Sequence, residues 1–268
     1  MPDKPGIHPT AIIEDGAVIA DGCTIGPYSM VGPEVELGHG CELISHAVVA
    51  GNTRIGSNTR IFPFASVGHQ PQDLKYKGEP STLRIGDNCV IREGVTLNPG
   101  TEGGGMATTI GDNCAFLANS HVGHDCHVGN NVIFSNNVML AGHCHIEDYV
   151  IIGGGAAVIQ FARVGAHAFV GGMSGLENDL IPYGMALGNR AYLSGLNIVG
   201  LQRRGFARDA IHDLRRAYRL LFAEEGTLAE RVDDVSSEFN EHPVVNEILA
   251  FIREGGKRSL CTPRGGAS

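Results

Sequence analysis

The sequence contains no tryptophan, and only 6% of its 268 residues are aromatic. It also has no long run of basic residues, and its formal net charge is -9. Binding to the backbone of a nucleic acid needs clustered lysine and arginine side chains. A nucleic-acid partner is therefore not expected, although an acidic sum is compatible with a local basic pocket for a phosphorylated small molecule.

The chain also lacks an apolar segment long enough to cross a membrane. Its most apolar window, residues 149–161, is short and is interrupted by glycines at 153–155, whereas a membrane-spanning helix needs about 20 apolar residues. The start, MPDKPGIHPT, has no apolar stretch typical of a signal peptide. Seven cysteines are too few and too evenly spaced for a secreted disulfide scaffold. We therefore predict a cytoplasmic protein with no membrane span.

Glycine, by contrast, is abundant at 38 residues, and aliphatic residues recur with a period of six. A helix cannot use this period, and an ordinary strand alternates by two. The position four residues after each aliphatic residue is often small, and glycine often follows the aliphatic residue directly. The repeated apolar positions are Ile7, Ile13, Ile19, Ile25, Val31, Leu37, Leu43, Val49, Ile55, Ile61, Val67, Ile85, Ile91, Leu97, Ile110, Phe116, Val122, Val128, Phe134, Leu140, Ile146, Ile152, Val158, Val164, Val170 and Leu176.

Each six-residue unit thus supplies one large and one small inward-facing residue, followed by a turn. Short strands joined in this way and stacked coil on coil form a parallel β-helix. Three units per coil give a triangular prism whose coils lie about 4.8 Å apart. Two segments break the period, at residues 68–84 and 98–109, and long excursions from a rigid solenoid are typical of binding loops. We assign residues 1–190 to the β-helix and residues 191–268 to a small C-terminal α-helical domain.

Helical spacing supports that C-terminal assignment. Apolar residues recur at helical intervals from Arg208 to Glu224. Thr227 and Glu230 form a capping-box pattern at the start of a second helix, which reaches about Phe239. A third helix is predicted from Pro243 to Arg253. Such a domain would pack beside the prism and cover the open end of the solenoid, where strand edges and core would otherwise be exposed.

Six of the seven cysteines occupy the small inward position of the repeat. Inward stacking places them in a column and does not bring them to one point, so we interpret them as buried wall residues and not as metal ligands. Cys261 lies outside the repeat and receives no role. The six repeat cysteines are Cys23, Cys41, Cys89, Cys114, Cys126 and Cys144.

Five histidines fall on outward positions in the segments NSHVGHDCHVGNN and AGHCHIED. Because 18 residues make one coil of three units, His127 is expected beneath His145, with Arg163 on the next coil. We interpret that column as a polar ladder on the exterior. The five outward histidines are His121, His124, His127, His143 and His145.

A second column is of more chemical interest. His124 is expected beneath Gly142, with Gln160 one coil further on. Histidine titrates near neutral pH and serves as a general base, and a carboxylate such as Asp125 can hold its tautomer. The backbone N–H of Gly142 is in register to bind an oxyanion in acyl transfer. From spacing alone, this reading and a solvated histidine on a polar face carry nearly equal weight.

Two further readings come from other functional classes. His121, His124 and His143 can be drawn together as a zinc site between subunits, as in hexapeptide-repeat carbonic anhydrases. However, that family's paired histidines are not found here and no acidic group is assigned to support such ligands, so neither a metal nor another cofactor is expected. A non-enzymatic scaffold should have repetitive faces, which the two excursions and the HxxHD pattern contradict.

Several segments, in order along nearly the whole chain, resemble the UDP-N-acetylglucosamine O-acyltransferase family, which catalyses the first step of lipid A synthesis. The resemblance implies a left-handed parallel β-helix, an exception to the usual right-handed crossover. The segments that carry it are QPQDLKYKGEPS, HVGHDCHVGNN, LAGH, VIQF, GGMSG and GNRAYLSGLNIVGLQRRGF.

The resemblance also implies a reaction. A 3-hydroxyacyl chain would pass from acyl carrier protein to the 3-hydroxyl of the glucosamine unit of UDP-N-acetylglucosamine. In this reaction His124 would take the hydroxyl proton, Asp125 would orient His124, and Gly142 N–H would bind the oxyanion. A related sugar-nucleotide N-acyltransferase is the alternative, but that enzyme carries an additional N-terminal domain, whereas the repeat here starts at Ile7.

The same resemblance implies substrate-binding residues. His121 and His143 would contact the sugar nucleotide, with Gln160 alongside and with Asp73 and Lys75 of the first excursion nearby. The remaining implied residues are Asn197, Arg203 and Arg204 for the uridine and diphosphate, and Gly172 for the limit on acyl length, where the absence of a side chain leaves room for a longer chain.

The sequence departs from the family's pattern at four places. Ile159 and Arg190 stand where many members have histidine, Val199 stands where an acidic residue is expected, and Asn98-Pro99 replaces a basic pair. These differences concern contacts to the nucleotide and the carrier protein. Because one convex prism face makes a poor pocket, we expect a closed threefold ring with active sites between subunits, as the family's trimer implies.

Overall fold

The computed structural model describes residues 6–264, which form three parallel sheets around one core. The first face contains Ile12–Ile13, Met30–Val31, Val48–Val49, Ser66–Val67, Thr96–Leu97, His121–Val122, Met139–Leu140, Ala157–Val158 and Gly175–Leu176. The second face contains Val18–Ile19, Glu36–Leu37, Asn52–Ile55, Thr82–Ile85, Ala107–Ile110, His127–Val128, His145–Ile146 and Arg163–Val164. The third face contains Thr24–Ile25, Glu42–Leu43, Arg60–Ile61, Val90–Ile91, Ala115–Phe116, Ile133–Phe134, Ile151–Ile152, Phe169–Val170, Gly184–Leu187 and Tyr192–Leu196.

The register between coils is the one that the period of six predicts. His127 pairs with His145, and His145 pairs with Arg163, each one coil further along the same face. Within each two-residue strand, the second residue points into the prism and the first points out, because side chains alternate along a strand. The predicted left-handed parallel β-helix is thereby confirmed.

The core is a column of aliphatic and small side chains, and the repeat cysteines belong to it. All seven cysteines are buried free thiols, which confirms the structural interpretation of the six repeat cysteines. Each repeat thiol also donates a hydrogen bond to a backbone carbonyl of the following coil, as from Cys126 Sγ to Ala141 O at 3.1 Å. Cys261 is buried as well, and burial raises the pKa of its thiol to about 11.

The corners of the prism are tight turns whose second residue has a left-handed backbone. Asparagine occupies this position in many turns, for example Asn119 at φ 60° and Asn137 at φ 59°. Short polar side chains tolerate this conformation better than most. Asp125 occupies such a position at φ 57°, so the turn itself accounts for an Asn-like residue there.

Both excursions leave the prism at the same corner, between the first and second faces. The first follows Val67 and the second follows Leu97, in the two coils that precede His124. The second face resumes at Thr82 and Ala107, three residues before the apolar positions Ile85 and Ile110 at which the period resumes. These strands start early because each pairs over four residues with its neighbour on the second face.

After the last regular coil, an antiparallel strand pair extends the third face, with Tyr192–Leu196 beside Gly184–Leu187. The boundary near residue 190 stays a prediction, as do the parts of both domains at 1–5 and 265–268, which lie outside the described residues. Four helices follow: α1 (Ile198–Arg203), α2 (Arg208–Leu221), α3 (Leu228–Glu238) and α4 (Pro243–Glu254).

The helical predictions hold with small changes of boundary. Thr227 and Glu230 make both bonds of the predicted capping box at the start of α3. Helix α2 ends at Leu221, three residues before the predicted Glu224, and the short α1 was not predicted. Arg163 of the second face holds α4 by donating to the carbonyl of Phe251 at 3.0 Å. The same guanidinium donates to Asp179 Oδ2 at 2.8 Å, in the segment that follows the last regular coil. Within residues 6–264, no helix combines the length and the hydropathy that crossing a membrane requires.

Candidate active site at the histidine corner

We use the name histidine corner for the stacked turns His124–Asp125, Gly142–His143 and Gln160–Phe161, between the first and second faces. Backbone bonds stack them directly: His143 N–H donates to His124 O at 2.9 Å, and Phe161 N–H donates to Gly142 O at 3.2 Å. The predicted column of His124, Gly142 and Gln160 therefore exists. The two excursions leave this corner in the preceding coils and fold back over it.

His124 is buried, which contradicts the reading of a solvated histidine, while its role as a base stays a prediction. Its residue surface is only 7% exposed, because the excursions cover the turn that an uninterrupted prism would leave in solvent. His124 Nδ1 lies 2.8 Å from Asp125 Oδ2, and Nε2 lies 4.0 Å from Asp73 Oδ2 of the first excursion.

The Asp125 carboxylate is enclosed and fully hydrogen-bonded. Its side chain has no solvent exposure. Thr101 of the second excursion donates its N–H to Oδ1 at 2.8 Å and its hydroxyl to Oδ2 at 2.5 Å. Both oxygens of Asp125 thus accept from Thr101, and Oδ2 also faces His124 Nδ1. A carboxylate in this place would accept from an Nδ1–H group of His124, which would leave Nε2 as the acceptor.

Gly142 packs directly on the His124 ring. A Cβ at this position would lie 2.6 Å from both Cε1 and Nε2 of His124, so any larger residue would displace the imidazole. The carbonyl of the Ala141–Gly142 peptide accepts from the Cys126 thiol inside the prism. In a trans peptide the N–H points the opposite way, so Gly142 N–H is directed outward. Among residues 6–264, no group accepts a hydrogen bond from it.

His143 forms the outer part of the site. Its Nδ1 lies 3.8 Å from Asp125 Oδ2, and its ring stacks on Phe161 with centroids 4.5 Å apart and an angle of 8°. Burial lowers the pKa of His143, an effect that Asp125 partly opposes. Lys257, which follows α4, places its ammonium 4.2 Å from the centre of the Phe161 ring.

His121 and Gln160 flank this arrangement. His121 is half-buried on the first face, and its Nδ1 lies 2.7 Å from Thr96 Oγ1. Burial lowers the pKa of His121, and nearby His124 lowers it further. Gln160 is exposed, and its carbonyl accepts from Arg258 Nε at 2.8 Å.

A cavity of about 530 Å³ opens beside His143, within the size range of small-molecule sites. The expectation that a single chain offers only a convex face is therefore wrong, because the excursions build walls on the prism. Three lysines line the cavity, two from the first excursion and one after α4. The lining residues are Asp73, Lys75, Lys77, Glu79, Thr101, Glu102, Gly103, His143, Phe161 and Lys257.

The metal alternative named His121, His124 and His143, but the described residues converge differently. The one group of potential ligands within 4.8 Å of each other is His124, Asp125 and His143. Two of these three already bond to each other, and Thr101 occupies both oxygens of Asp125. The Nδ1 atom of His124 and the oxygen atoms of Asp125 are therefore already used in hydrogen bonds. Binding of an ion to these atoms would break the contact between His124 and Asp125 and the bonds from Thr101.

Four residues from the sequence analysis lie away from His124. Asn197 caps α1 through Gly200 N–H at 3.1 Å and donates to His167 O at 2.9 Å. Arg204 donates to the carbonyl of Tyr149 at 2.7 Å, and Arg203 is exposed beside it in sequence. These three therefore gather at the corner between the second and third faces, which we call the second corner. Gly172 is exposed at the remaining corner, between the third and first faces.

Three residues of the site were not found by sequence reasoning: Thr101, Phe161 and Lys257. Thr101 lies in a segment that was interpreted only as a binding loop. Phe161 is the outward neighbour of Gln160 in a turn, and Lys257 follows the last helix. Phe161 lies one coil of 18 residues beyond His143, so the repeat could have indicated their stacking. Thr101 and Lys257 reach the site from segments outside the repeat, so no local pattern indicated them.

Comparison with known proteins gives two family matches. Residues 179–261 match the family described as UDP-N-acetylglucosamine O-acyltransferase, domain 2. Residues 107–142 match the bacterial transferase hexapeptide family, described as six repeats. The first match covers the end of the prism and the helices, and the second covers the part of the histidine corner that extends from His124 to Gly142.

Relatives match over nearly the full length. The chain is 75% identical over 260 residues to the acyl-[acyl-carrier-protein]–UDP-N-acetylglucosamine O-acyltransferase of Methylobacterium radiotolerans, covering 97% of this chain and 96% of the relative. The enzyme of the same name from Rhizobium etli is 54% identical with the same coverage. The solved structure of LpxA from Acinetobacter baumannii superposes with a TM-score of 0.92 at 43% identity, over 96% of this chain and 99% of that one. The UDP-N-acetylglucosamine acyltransferase from Francisella novicida gives a TM-score of 0.93 at 34% identity, over 97% and 95% of the two chains.

Proposed function

Because this chain belongs to the UDP-N-acetylglucosamine O-acyltransferase family, we propose that it uses His124 as general base to acylate the sugar nucleotide. The chain is an acyl-carrier-protein-dependent acyltransferase whose acceptor is UDP-N-acetylglucosamine. The acyl chain of the proposal is a 3-hydroxyacyl group, and the acceptor atom is the 3-hydroxyl oxygen of the glucosamine unit.

The observation that carries the proposal is the 2.8 Å contact between His124 Nδ1 and the enclosed Asp125 carboxylate. It leaves Nε2 unprotonated, so Nε2 can take the proton of the sugar hydroxyl. The same carboxylate stabilises the imidazolium that forms. In the Ser-His-Asp triad, a carboxylate orients the base histidine and stabilises its imidazolium form in the same way.

The acyl transfer passes through a tetrahedral intermediate. The sugar oxygen gives its proton to His124 Nε2 and attacks the thioester carbonyl carbon of the acyl donor. The carbonyl oxygen becomes an oxyanion, which accepts from Gly142 N–H, the donor that points out of the prism beside the imidazole. Collapse of the intermediate breaks the carbon–sulfur bond, and the thiolate leaves with the proton from His124.

The lysine-lined cavity supports a place for the sugar nucleotide. Lys75, Lys77 and Lys257 supply positive charge around it, while Asp73 and Glu102 can accept from sugar hydroxyls. His121, His143 and Gln160 would contact the same substrate, since they border the base. The acyl chain would lie along the first face toward Gly172, because Met139 and Met173 expose apolar surface there, at 53% and 77%.

The uridine and diphosphate would be held by Asn197, Arg203 and Arg204 of a second subunit. These residues lie at the second corner, while His124 lies at the histidine corner, so one chain does not bring them together. A closed threefold ring would set the second corner of each subunit against the histidine corner of the next. We propose this homotrimer as the working form in the cytoplasm, where the buried thiols would remain reduced.

The test is an acyl-transfer assay with UDP-N-acetylglucosamine and 3-hydroxyacyl carrier proteins of increasing chain length. H124A should lower kcat by about 10²–10⁴, the usual contribution of general-base catalysis. H127A is the matched control, because His127 is exposed on the second face and should be silent. Activity of H124A near that of the wild type would overturn the assignment, and transfer only to a 3-amino acceptor would change the substrate.

A further inference from the structure

Thr101 makes the most specific contact between an excursion and the base. It is 4% exposed, and its two donors reach the two different oxygens of Asp125. Its hydroxyl shares Oδ2 with His124 Nδ1, so Thr101, Asp125 and His124 form one continuous chain of hydrogen bonds. Nothing in the repeat requires a threonine at this point.

The second excursion is built to keep Thr101 in place. The carbonyl of Thr101 accepts from Gly104 N–H at 3.1 Å and from Met106 N–H at 3.0 Å, which closes a tight turn over residues 102–104. Gly104 then packs on the same carboxylate, since a Cβ there would lie 2.0 Å from Asp125 Cγ. The excursion therefore approaches Asp125 as closely as backbone atoms allow.

The chemistry of a buried carboxylate explains why these contacts matter for the base. An enclosed carboxylate without donors would be protonated, or would rotate toward any donor within reach. A protonated Asp125 could donate to His124 Nδ1 and so move the imidazole proton to Nε2. With both oxygens bound by Thr101, the Asp125 carboxyl group is held in one orientation, with Oδ2 toward His124 Nδ1.

We infer that Thr101 is a positioning residue for the reaction, which holds the Asp125 carboxyl group in one orientation, with Oδ2 toward His124 Nδ1, so that His124 Nε2 remains a proton acceptor. This inference rests on the proposed role of His124. It makes the second excursion part of the catalytic apparatus, beyond its role as a wall of the substrate cavity. The titratable groups that face His124 are Asp125, Asp73, His143 and His121, and of these only Asp125 is bound by Thr101.

The test compares T101V with T101S and with T108V. Valine keeps the shape of Thr101 and removes its hydroxyl, while serine keeps the hydroxyl. T108V is the matched control. Thr108 is also buried, it lies in the strand that follows the same excursion, and its hydroxyl has no partner among the described residues. For T101V we expect kcat to fall about 10–100-fold, the loss typical of one hydrogen bond to a charged group, with KM for UDP-N-acetylglucosamine within about twofold of the wild type.

T101S should recover most of kcat, T108V should match the wild type, and T101V in the H124A background should have no further effect. A wild-type kcat for T101V, equal losses in T101S and T101V, or a change confined to KM would each overturn the inference. Failure of the proposed function looks different, because H124A itself would then stay active. An inactive H124A with a fully active T101V would reject only the role of Thr101.

Discussion

His124 and His167 lie in turns at two corners of the same prism, the first buried and the second half-buried, and they have opposite surroundings. His124 faces a carboxylate at 2.8 Å. His167 is stacked between Tyr149 and Tyr183, at centroid distances of 4.7 Å and 5.5 Å, with both rings nearly parallel to its own. Its Nδ1 has no hydrogen-bond partner in the described part of the chain. Burial, together with the nearby Arg204 guanidinium, lowers the pKa of His167 to about 4.

The difference teaches that enclosure alone does not make a histidine a base. At the histidine corner the two excursions bring Thr101 and Asp73 to the imidazole. At the second corner the chain beyond the prism brings Phe206 against the edge of His167, with centroids 5.0 Å apart. The histidine corner therefore contains a chain of hydrogen bonds from Thr101 through Asp125 to His124. The second corner contains an aromatic stack that packs beside Arg204 and Asn197. The same type of turn thus carries the proposed base in one place and an aromatic stack in the other.

The largest expected effect comes from removing the charge at the histidine corner. D125N keeps the size of the side chain and suits the left-handed turn, but it leaves His124 without its carboxylate. We expect kcat to fall by about 10³–10⁴, the loss seen when a base histidine is held in the wrong tautomer, and the melting temperature to fall by a few degrees, because the amide NH2 cannot accept from Thr101. Steady-state kinetics and thermal unfolding would measure both.

D148N is the matched control for D125N. Asp148 is the turn carboxylate of the second corner, where it accepts from Asn130 N–H at 2.7 Å. Its substitution should lower the melting temperature by a few degrees and leave kcat within about twofold, since one hydrogen bond contributes about 1 kcal/mol. A D148N variant as inactive as D125N would show that the two corners do not differ in the way described.

An intermediate effect should appear when two damaged subunits are combined. H124A lacks the base, and R203A lacks an exposed cation of the second corner; each alone should be poorly active. Co-expression with two affinity tags isolates mixed trimers, and every such trimer contains one interface with both residues intact. We expect about one third of the wild-type activity.

The outcome decides where the site lies. If His124 and Arg203 acted within the same chain, no mixed oligomer would contain an intact pair, and activity would stay at the level of the parents. Sedimentation of the purified mixture provides the check on its composition. A monomer in that experiment would contradict the proposed ring directly.

The smallest expected effect concerns the pH dependence of stability at His167. In the unfolded chain histidine titrates near 6.5, whereas the folded protein holds His167 neutral down to about 4. Between these pH values the unfolded state binds more protons, so the free energy of unfolding falls as pH decreases. H167F should remove part of that fall, about 1 kcal/mol at pH 5 after allowance for the partial exposure of the ring.

Urea unfolding at pH 7.5 and pH 5 would measure this difference. Phenylalanine is a suitable replacement because Phe161 and Phe64 already occupy the same type of turn, at φ 67° and φ 66°. Equal decreases in stability for the wild type and H167F would show that His167 titrates as in the unfolded chain, and the contrast with His124 would then be weaker.

Much of the fold and part of the site could be predicted from local pattern. The stacking of Gly142 on His124 follows from counting 18 residues, and the structure confirms it. Asp125 was found because it is the next residue in the same turn. Thr101 and Lys257 could not be found in this way, since they reach the corner from segments with no repeat, and Asn197 and Arg203 were implied by resemblance but lie at another corner.

The period of six by itself determined the prism, because every coil has the same cross-section and each inward position must fill it with an aliphatic or a small side chain. It also determined which outward residues stack on one another. Only the tertiary structure decided that His124 is enclosed and that Asp125, which it contacts at 2.8 Å, is bound by Thr101. The reason is physical: a repeat specifies the register of the coils that obey it, whereas the path of an insertion depends on the contacts it makes when it folds back. Here those contacts are made by Thr101, Gly104 and Asp73.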